Sequence, residues 1–258
     1  MKKYVKYVPI IIAFITIIIV FIIHNTNAGK PKNTEQNTVS KNVNFEIDKI
    51  VAYSDVIIRE NEKNQRADWE LGIDQFTDLA IYLKTAQDAK IEETDIKEIS
   101  IENIHILEAP KLGEVVFYKR KLNDYSSRKL ETIKDSIVND GYIRYDVIEN
   151  NKKIDFNELQ YKKDMTLPII IGYLNENVRR EFIIHDLSTP LIFDSSILKR
   201  VNVPINALKS KMEFTIKIKN TLDQIYESKT VVDLPITEDI YNGNQTEVIR
   251  ATSNFELK

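Results

Sequence analysis

A strict alternation of apolar and polar residues over residues 212–220 is the feature that most constrains the fold of this chain. The apolar members share one parity: Met212, Phe214, Ile216 and Ile218. Successive side chains of a β-strand point to opposite faces of its sheet, so this pattern predicts a half-buried antiparallel strand. The same period of two recurs over residues 68–73 and 79–83. We therefore expect a mainly β fold.

Other short apolar runs extend this interpretation along the chain. They predict strands over residues 45–53, 96–107, 114–120, 142–149, 153–156, 201–205 and 225–232, and residues 246–249 and 255–257 either add an edge strand or fray. Residues 166–174 and 178–185 predict a hairpin turning at 175–177. Pro168 and Pro204 favour edge positions for the strands that contain them, because proline cannot donate to a ladder. Within 96–107 the apolar parity changes, which predicts a β-bulge or a turn near Glu102 and Asn103.

Residues 126–139 carry the one convincing amphipathic helical pattern in the body of the chain. Its apolar stripe comprises Leu130, Ile133, Ile137 and Val138. Ser126 or Ser127 can cap its start, and Gly141 suits a left-handed stop. We expect a connecting helix within residues 123–141, joining two antiparallel β-sandwich halves of immunoglobulin-like design at residues 45–122 and 142–258.

The N-terminal segment predicts attachment to a membrane. Residues 7–23 contain no charge, and Lys2, Lys3 and Lys6 precede them. At helical rise this run covers about 25 Å, close to the thickness of a bilayer core, so residues 1–28 are expected to form a single transmembrane helix. The lysines favour an extracytoplasmic body. The alternative is a signal peptide cleaved after Ala28, which would release a secreted protein.

Residues 29–44 are almost entirely polar and predict a flexible tether with a reach of about 20–25 Å. Without residues 1–28 the chain carries 33 basic and 39 acidic side chains, since three lysines and no acids are removed. A mildly acidic body gives no electrostatic case for nucleic-acid binding. The chain has no cysteine, which excludes disulfides, thiol nucleophiles and cysteine-zinc sites. With six glycines, it has little material for a phosphate-cradling loop.

Two acidic clusters are candidates for calcium: Asp68, Glu70, Asp74 and Asp78, and then Glu92, Glu93 and Asp95. Neither has the spacing of a calcium-binding loop, so we interpret them as solvated strand ends and loops. The chain has three histidines: His24 at the expected membrane edge, His105 within a predicted strand, and His185 beside Asp186 and close to Ser188. Adjacent strand residues point to opposite faces, so no catalytic triad is predicted.

Aromatic residues are the remaining candidates for a binding surface. Trp69 shares the parity of Leu71 and Ile73, which favours the core over a sugar platform. The dispersed tyrosines that could line a surface are Tyr142, Tyr145, Tyr161 and Tyr173. We assign no catalytic, metal or cofactor-binding residue and no cofactor. The expected function is a non-catalytic binding or structural role at the cell envelope, with a protein or envelope glycan as partner. The alternatives are a carboxylate-based envelope hydrolase and a glycan-binding module.

Overall fold

β-strands make up most of the chain that the structure describes. The computed structural model covers residues 44–60, 69–123, 130–184, 192–250 and 253–258. The predicted anchor at residues 1–28 lies outside these ranges, and so do residues 29–43 of the predicted tether. Across the covered ranges, no helix is both long enough and apolar enough to span a membrane.

The strands and helices are numbered here in chain order. The strands are β1 (Phe45–Glu60), β2 (Trp69–Thr85), β3 (Ile96–Glu108), β4 (Glu114–Lys119), β5 (Ile143–Ile148), β6 (Gln160–Lys162), β7 (Ile169–Ile184), β8 (Lys211–Asn220), β9 (Ile225–Asp233), β10 (Gln245–Ile249) and β11 (Glu256–Leu257). The short helices are α1 (Leu130–Lys134) and α2 (Ile197–Arg200), and 3-10 turns occur at Ile91–Glu93, Ile205–Ala207 and Glu238–Asn242.

The described strands form two sheets. The first has the order β10-β1-β2-β7-β4, and the second has the order β11-β9-β8-β3-β5-β6. Neighbouring strands are antiparallel except β5 and β6, which are parallel. The predicted boundary at residues 123–141 does not divide these sheets, because β2 pairs with β7 and β3 pairs with β8 across it. Residues on both sides of that boundary therefore share one sandwich-like core.

The inner faces of the two sheets supply this core. Ile50, Ile81 and Ile171 from the first sheet cluster with Ile99 and Ile216 from the second. The alternation over 212–220 is confirmed, since all four of its apolar side chains are fully buried. Fully burying one such side chain stabilises the fold by about 1.5–3 kcal/mol.

The long strands of the first sheet continue past this core and are covered by other elements. At one end, Ile197 and Leu198 of α2 and Ile240 pack on Leu71 and Ile73 of β2. On the outer face, a separate cluster contains Phe76 and Leu174 of the sheet and Leu130 and Ile133 of α1. Both faces of β2 are therefore buried along its middle, which explains the unbroken run of buried residues from 71 to 80.

Several predicted strands are confirmed with wider bounds, and the bulge in β3 is found where it was expected. The two apolar runs at 68–73 and 79–83 belong to one strand, β2, rather than to two. In β3 the register shifts between Glu102 and His105, where Asn103 has φ 54°. The extra residue returns Ile104 to the buried face, which reconciles the two parities.

The predicted hairpin at 166–185 is wrong. Residues 175–177 lie inside the continuous strand β7, with a left-handed residue at Asn177. Their polar side chains imitate a turn but are bound within the sheet: Asn175 donates to Leu112 O at 2.9 Å, and Asn177 Oδ1 accepts from Arg59. The edge position inferred from Pro168 is also wrong, because this residue precedes β7, which lies between β2 and β4.

The predicted helix is shorter than its apolar stripe. α1 ends at Lys134, and Ile137 instead forms a bridge with Tyr118 on the outer edge of β4. Residues 124–129, with the predicted cap, lie outside the described residues. The predicted strands at 153–156 and 201–205 are wrong as well. The first is an irregular loop before β6, and the second joins α2 to a 3-10 turn around Pro204.

Candidate functional site

Two members of the first acidic cluster, Asp74 and Asp78, are not solvated, whereas Glu70 is half-buried and Asp68 lies outside the described residues. Asp74 and Asp78 are each 1% exposed in the middle of β2. Arg59 holds Asp74 through two hydrogen bonds, Nε to Oδ2 at 2.8 Å and Nη2 to Oδ1 at 2.9 Å. The Asn177 backbone N–H also donates to Asp74 at 2.6 Å. The expectation that these acids are exposed is therefore wrong, because each one is matched by an arginine.

Asp78 forms a second buried ion pair on the outer face of the first sheet. Its partner is Arg120, with Nε 3.2 Å from Oδ2, and both side chains are almost fully buried. Tyr118 donates its hydroxyl to Asp78 at 2.5 Å. Gly172 lies opposite both Asp78 and Tyr118 in the register. A Cβ at this glycine would overlap the Tyr118 ring, so only glycine lets the ring lie against the sheet.

The second acidic cluster disperses into two ion-pair networks. Glu93 accepts from Asn44 at 2.6 Å, where the described chain begins, and this hydrogen bond is the main reason that the pKa of Glu93 is lowered. Asp95 pairs instead with Lys163 at 3.0 Å. Within the residues that the structure covers, no three His, Asp or Glu side chains converge in a way that could hold a metal ion.

The histidines give no catalytic arrangement among the described residues. His105 is half-exposed on β3, with Nδ1 2.7 Å from Asn103 O and Nε2 3.4 Å from a Glu213 carboxylate oxygen. His24 and the group of His185, Asp186 and Ser188 lie outside the described residues. The side chain of Trp69 is also not described, although its backbone pairs with Ile184 at the start of β2.

Three of the four tyrosines that were candidates for a binding surface do not lie at the surface. Tyr145, Tyr161 and Tyr173 are buried in the main core, and Tyr142 is half-buried. Tyr145 accepts from the Ile170 N–H at 2.7 Å and donates to Ile170 O at 2.8 Å, which joins β5 to β7 across the sandwich. Burial raises the pKa of Tyr161, with the Asp164 charge as a smaller cause.

A layer of polar side chains interrupts the inner face of the first sheet. It comprises Ser54, Thr77, Tyr173, Gln75 and Asn175, all at most 1% exposed. Gln75 donates to Thr77 at 2.8 Å, and the Ser54 and Thr77 hydroxyl oxygens are 2.7 Å apart. Three atoms in the layer have no hydrogen-bond partner: Gln75 Oε1, Asn175 Oδ1 and the Tyr173 hydroxyl. Burial raises the pKa of Tyr173 to about 12.

Ser210 lines a cleft of about 550 Å³ where the second sheet ends. The cleft lies between the end of β3, the start of β8 and the end of β9. Its charged lining residues are Lys111, Lys209, Lys211, Glu108 and Asp233, and Asn206 and Pro235 are among the others. Ligand pockets in proteins commonly measure 300–1,000 Å³, so this cleft has the size of a small-molecule site.

Backbone hydrogen bonds fix the walls of this cleft. The N–H groups of Lys111 and Leu112 both donate to Ala207 O, at 2.9 and 3.2 Å. Ser210 donates its hydroxyl to Glu108 O at 3.0 Å and accepts from the Leu234 N–H through its backbone oxygen at 2.9 Å. The Asn175 side-chain amide also donates to Leu112 O, which fixes the turn that carries Lys111. These hydrogen bonds therefore fix the backbone segments that carry the cleft lysines.

Sequence reasoning missed both the arginine pairs and the cleft. Arg59 and Arg120 are far in sequence from the acids that they hold, so no local spacing reveals them. The cleft lysines come from separate segments that only the sandwich brings together. One signal was present: polar residues at Gln75 and Thr77 fall on the apolar parity of β2, which marks an interrupted core. Comparisons with protein-family models, curated proteins and solved structures gave no match to this chain.

Proposed function

We propose that this chain is a membrane-tethered, extracytoplasmic binding protein without catalytic activity, and that the cleft is its binding site. The proposal joins the N-terminal sequence to a cleft of about 550 Å³ in the described body, which has the size of a ligand site and walls fixed by hydrogen bonds. The anchor is residues 1–28, the tether is residues 29–43, and the binding body is the sandwich, to which Asn44 belongs because it is buried and donates to Tyr226.

The body is, in this proposal, a single immunoglobulin-like sandwich rather than two. An immunoglobulin constant domain has the strand orders A-B-E-D and C-F-G. The order β1-β2-β7-β4 matches the first of these, and β3-β8-β9 matches the second, when the strands are lettered in chain order with β5 and β6 as an insertion. β10 and β11 then extend one edge of each sheet.

The position of the cleft is the observation that carries the binding role. β8 runs for ten residues from Lys211 at the cleft to Asn220, whose amide donates to Glu93 O. Glu93 also binds Asn44, so the chain begins its fold at the other end of β8. Ten residues of strand span about 33 Å. A tether joined at Asn44 would therefore leave the cleft at the distal end of the body.

The alternatives have less support. The tyrosines that would have formed a sugar platform are mostly core residues. A carboxylate-based hydrolase needs two carboxylates that can reach a substrate. The buried carboxylates Asp74 and Asp78 are each bound to an arginine instead, and neither lines the cleft.

Protease treatment of intact cells tests the location. We expect residues 45–258 to be digested from outside while the N-terminal segment stays with the membrane. A body that is protected until the cells are broken would contradict the orientation, and a body that appears free in the medium from residue 29 would contradict the anchor.

Binding to isolated envelope material tests the role of the cleft. The full-length chain, purified in detergent, is mixed with the insoluble envelope fraction of the producing cells and sedimented. Asn206→Trp places a large ring at an exposed position in the cleft wall and should reduce co-sedimentation at least fivefold. Asn157→Trp, at an exposed loop position away from the cleft, is the matched control. No binding by the wild type, or equal binding by both variants, would overturn the proposal.

A further inference from the structure

We infer that the cleft at the end of the second sheet recognises a phosphate ester, held between Lys111 and Lys209. This inference rests on the proposed binding function and adds the chemical class of the ligand. Its basis is the charge pattern of the cleft, the bracing of the two lysines and the absence of arginine from the cleft lining.

The three cleft lysines are not equivalent. Lys211 lies 3.3 Å from an Asp233 carboxylate oxygen and 3.6 Å from one of Glu108. The pKa of Lys211 is raised, chiefly by the hydrogen bond with Asp233, so this lysine stays charged and is paired with carboxylates of the cleft wall. The amines of Lys111 and Lys209 form no ion pair with the described residues. These two amines are therefore the cationic groups left to contact a ligand, in a lining whose net charge, from three lysines and two carboxylates, is +1.

The two lysines are also held close to each other by the backbone. Lys111 N–H donates to Ala207 O at 2.9 Å, and Lys209 follows two residues later in that same wall. The Leu112 carbonyl next to Lys111 accepts from the fully buried Asn175 amide. A frame that is fixed before the ligand arrives reduces the entropy that binding costs.

The charge on the ligand follows from this arrangement. A phosphate monoester carries about −1.5 to −2 at neutral pH, whereas a carboxylate carries a single negative charge. Three lysines and two carboxylates give the described lining of the cleft a net charge of +1, so the cleft attracts anions, and it attracts a dianion more strongly than a monoanion. Lysine binds phosphate as a point charge from three donors, and planar carboxylate recognition is the speciality of arginine, which this cleft lacks.

Calorimetric titration of the full-length chain in detergent tests this inference. Three ligands with one carbon skeleton serve as probes: glycerol, glycerate and glycerol 3-phosphate. We expect saturable binding of glycerol 3-phosphate, affinity for glycerate at least about tenfold weaker, and no binding of glycerol, because hydrogen bonds to a charged group each contribute roughly tenfold or more.

The double variant Lys111→Gln/Lys209→Gln should weaken glycerol 3-phosphate binding at least about tenfold. Lys152→Gln/Lys153→Gln removes the same charge from two exposed lysines that do not line the cleft, and should leave binding unchanged. Circular dichroism melts of both variants establish that they are folded. As a measurement that needs no variant, glycerol 3-phosphate should displace the wild-type chain from envelope material, and glycerol should not.

Equal affinity for glycerate, or equal binding by the two double variants, would overturn the assignment. Vesicles of phosphatidylglycerol test whether the phosphate belongs to a lipid headgroup. We expect Lys111→Gln/Lys209→Gln to bind these vesicles as well as the wild type does, since the cleft is distal to the tether. If Asn206→Trp abolishes envelope binding while the lysine variants and glycerol 3-phosphate have no effect, the binding function stands and the phosphate inference fails.

Discussion

At the scale of single residues, the outer face of the first sheet depends on one missing side chain. Gly172 lies under the ring of Tyr118, and that ring delivers its hydroxyl to the buried Asp78. The glycine is not required by a left-handed backbone, because only Gly113, Gly141 and Gly243 have positive φ among the described glycines. It is required by the space that the ring occupies.

Gly172→Ala should therefore destabilise the protein by about 1–3 kcal/mol, as expected for overpacking of a filled core. The matched measurement is the same substitution in a Tyr118→Leu background, where the ring is absent. We expect Gly172→Ala to cost less than about 0.5 kcal/mol there, measured by urea unfolding. An equal cost in both backgrounds would mean that the ring does not explain the glycine.

Ile216 and Lys217 test the two faces of β8. Ile216 is fully buried between Ile101 and Ser228, so Ile216→Asp should remove the folded state or lower its stability by several kcal/mol. Lys217 bridges Glu102 at 2.9 Å and Glu227 at 3.5 Å on the outer face. Lys217→Gln should cost less than about 1 kcal/mol, and Lys217→Asp somewhat more, because three carboxylates would then adjoin. Thermal melts that rank Lys217→Asp with Ile216→Asp would contradict the one-sided burial of this sheet.

The sequence predicts the burial of single residues correctly in a strand that has one solvent-exposed face and one buried face. Met212 and Phe214 were assigned correctly because parity alone decides burial in β8. Asp74 and Asp78 were assigned wrongly because β2 is covered on both faces, so parity there says nothing about exposure. A carboxylate can be buried in such a strand when a cationic side chain from another segment pairs with it. The local sequence around the carboxylate does not reveal that pair.

At the scale of elements, β2 is the strand on which the fold depends. It pairs with β1 and β7 over most of its length and carries both buried carboxylates. Long central strands of this kind leave few places where the chain can shift register, because a one-residue slip would turn every buried side chain to the wrong face.

Arg120→Met should cost about 3–5 kcal/mol, because it leaves Asp78 charged and buried without its cation. Asp78→Asn/Arg120→Met removes both charges and keeps an acceptor for the Tyr118 hydroxyl. We expect the double variant to be more stable than Arg120→Met alone by at least about 1 kcal/mol in urea unfolding. A double variant that is less stable than Arg120→Met would contradict this explanation, because removing the unpaired charge of Asp78 would not have restored stability.

The turn between β8 and β9 supplies a pH dependence. Lys97 and Lys219 hold the pKa of Asp223 at about 2, below its ordinary value of 3.8. A depressed pKa contributes stability above the unfolded value, and this contribution is lost as the pH falls through the folded value. The wild type should therefore melt at a higher temperature than Asp223→Asn at pH 5, and the difference should shrink between pH 4 and pH 2. A difference that is constant across this range would contradict the pairing.

The strands that sequence predicted well are those with a regular partner on each side. β8 and β9 form a plain hairpin, and their bounds follow from alternation and from the turn after Asn220. The sequence of β7 predicts two strands because its polar centre, at Asn175 to Asn177, has the composition of a turn. The helical pattern extends past the end of α1 because Ile137 and Val138 continue its apolar stripe, whereas both residues pair with the edge of β4.

At the scale of the whole molecule, the described chain begins and ends at the same place. Phe45 and Phe255 pack edge to face with ring centroids 6.1 Å apart, and Glu46 forms a bridge with Asn254. Asn44 is 2% exposed and donates to Tyr226 at 2.6 Å. This junction closes the main core where a tether would join it.

A shortened chain that begins at Asn44 should consequently be soluble, folded and dominated by β-structure in far-ultraviolet circular dichroism. Phe255→Ala in that chain should cost about 3–5 kcal/mol, since it empties a fully buried ring position beside Phe45. A helical spectrum would contradict the architecture, and an unchanged melt for Phe255→Ala would contradict the closure of the core by the last residues.

The direction of β1 has a mechanical consequence. Asn44 leads directly into this strand, which is held between β10 and β2, and the cleft lies at the far end of the sandwich. Hydrogen bonds of an antiparallel ladder are perpendicular to the strands. A force applied between Asn44 and a ligand in the cleft would run along the strands, so the ladder from Phe45 to Glu60 would carry it in shear, with many bonds sharing the load at once. On the proposed attachment at Asn44, extension would therefore have to break many hydrogen bonds of this ladder together, whereas peeling a strand from an edge breaks them one after another.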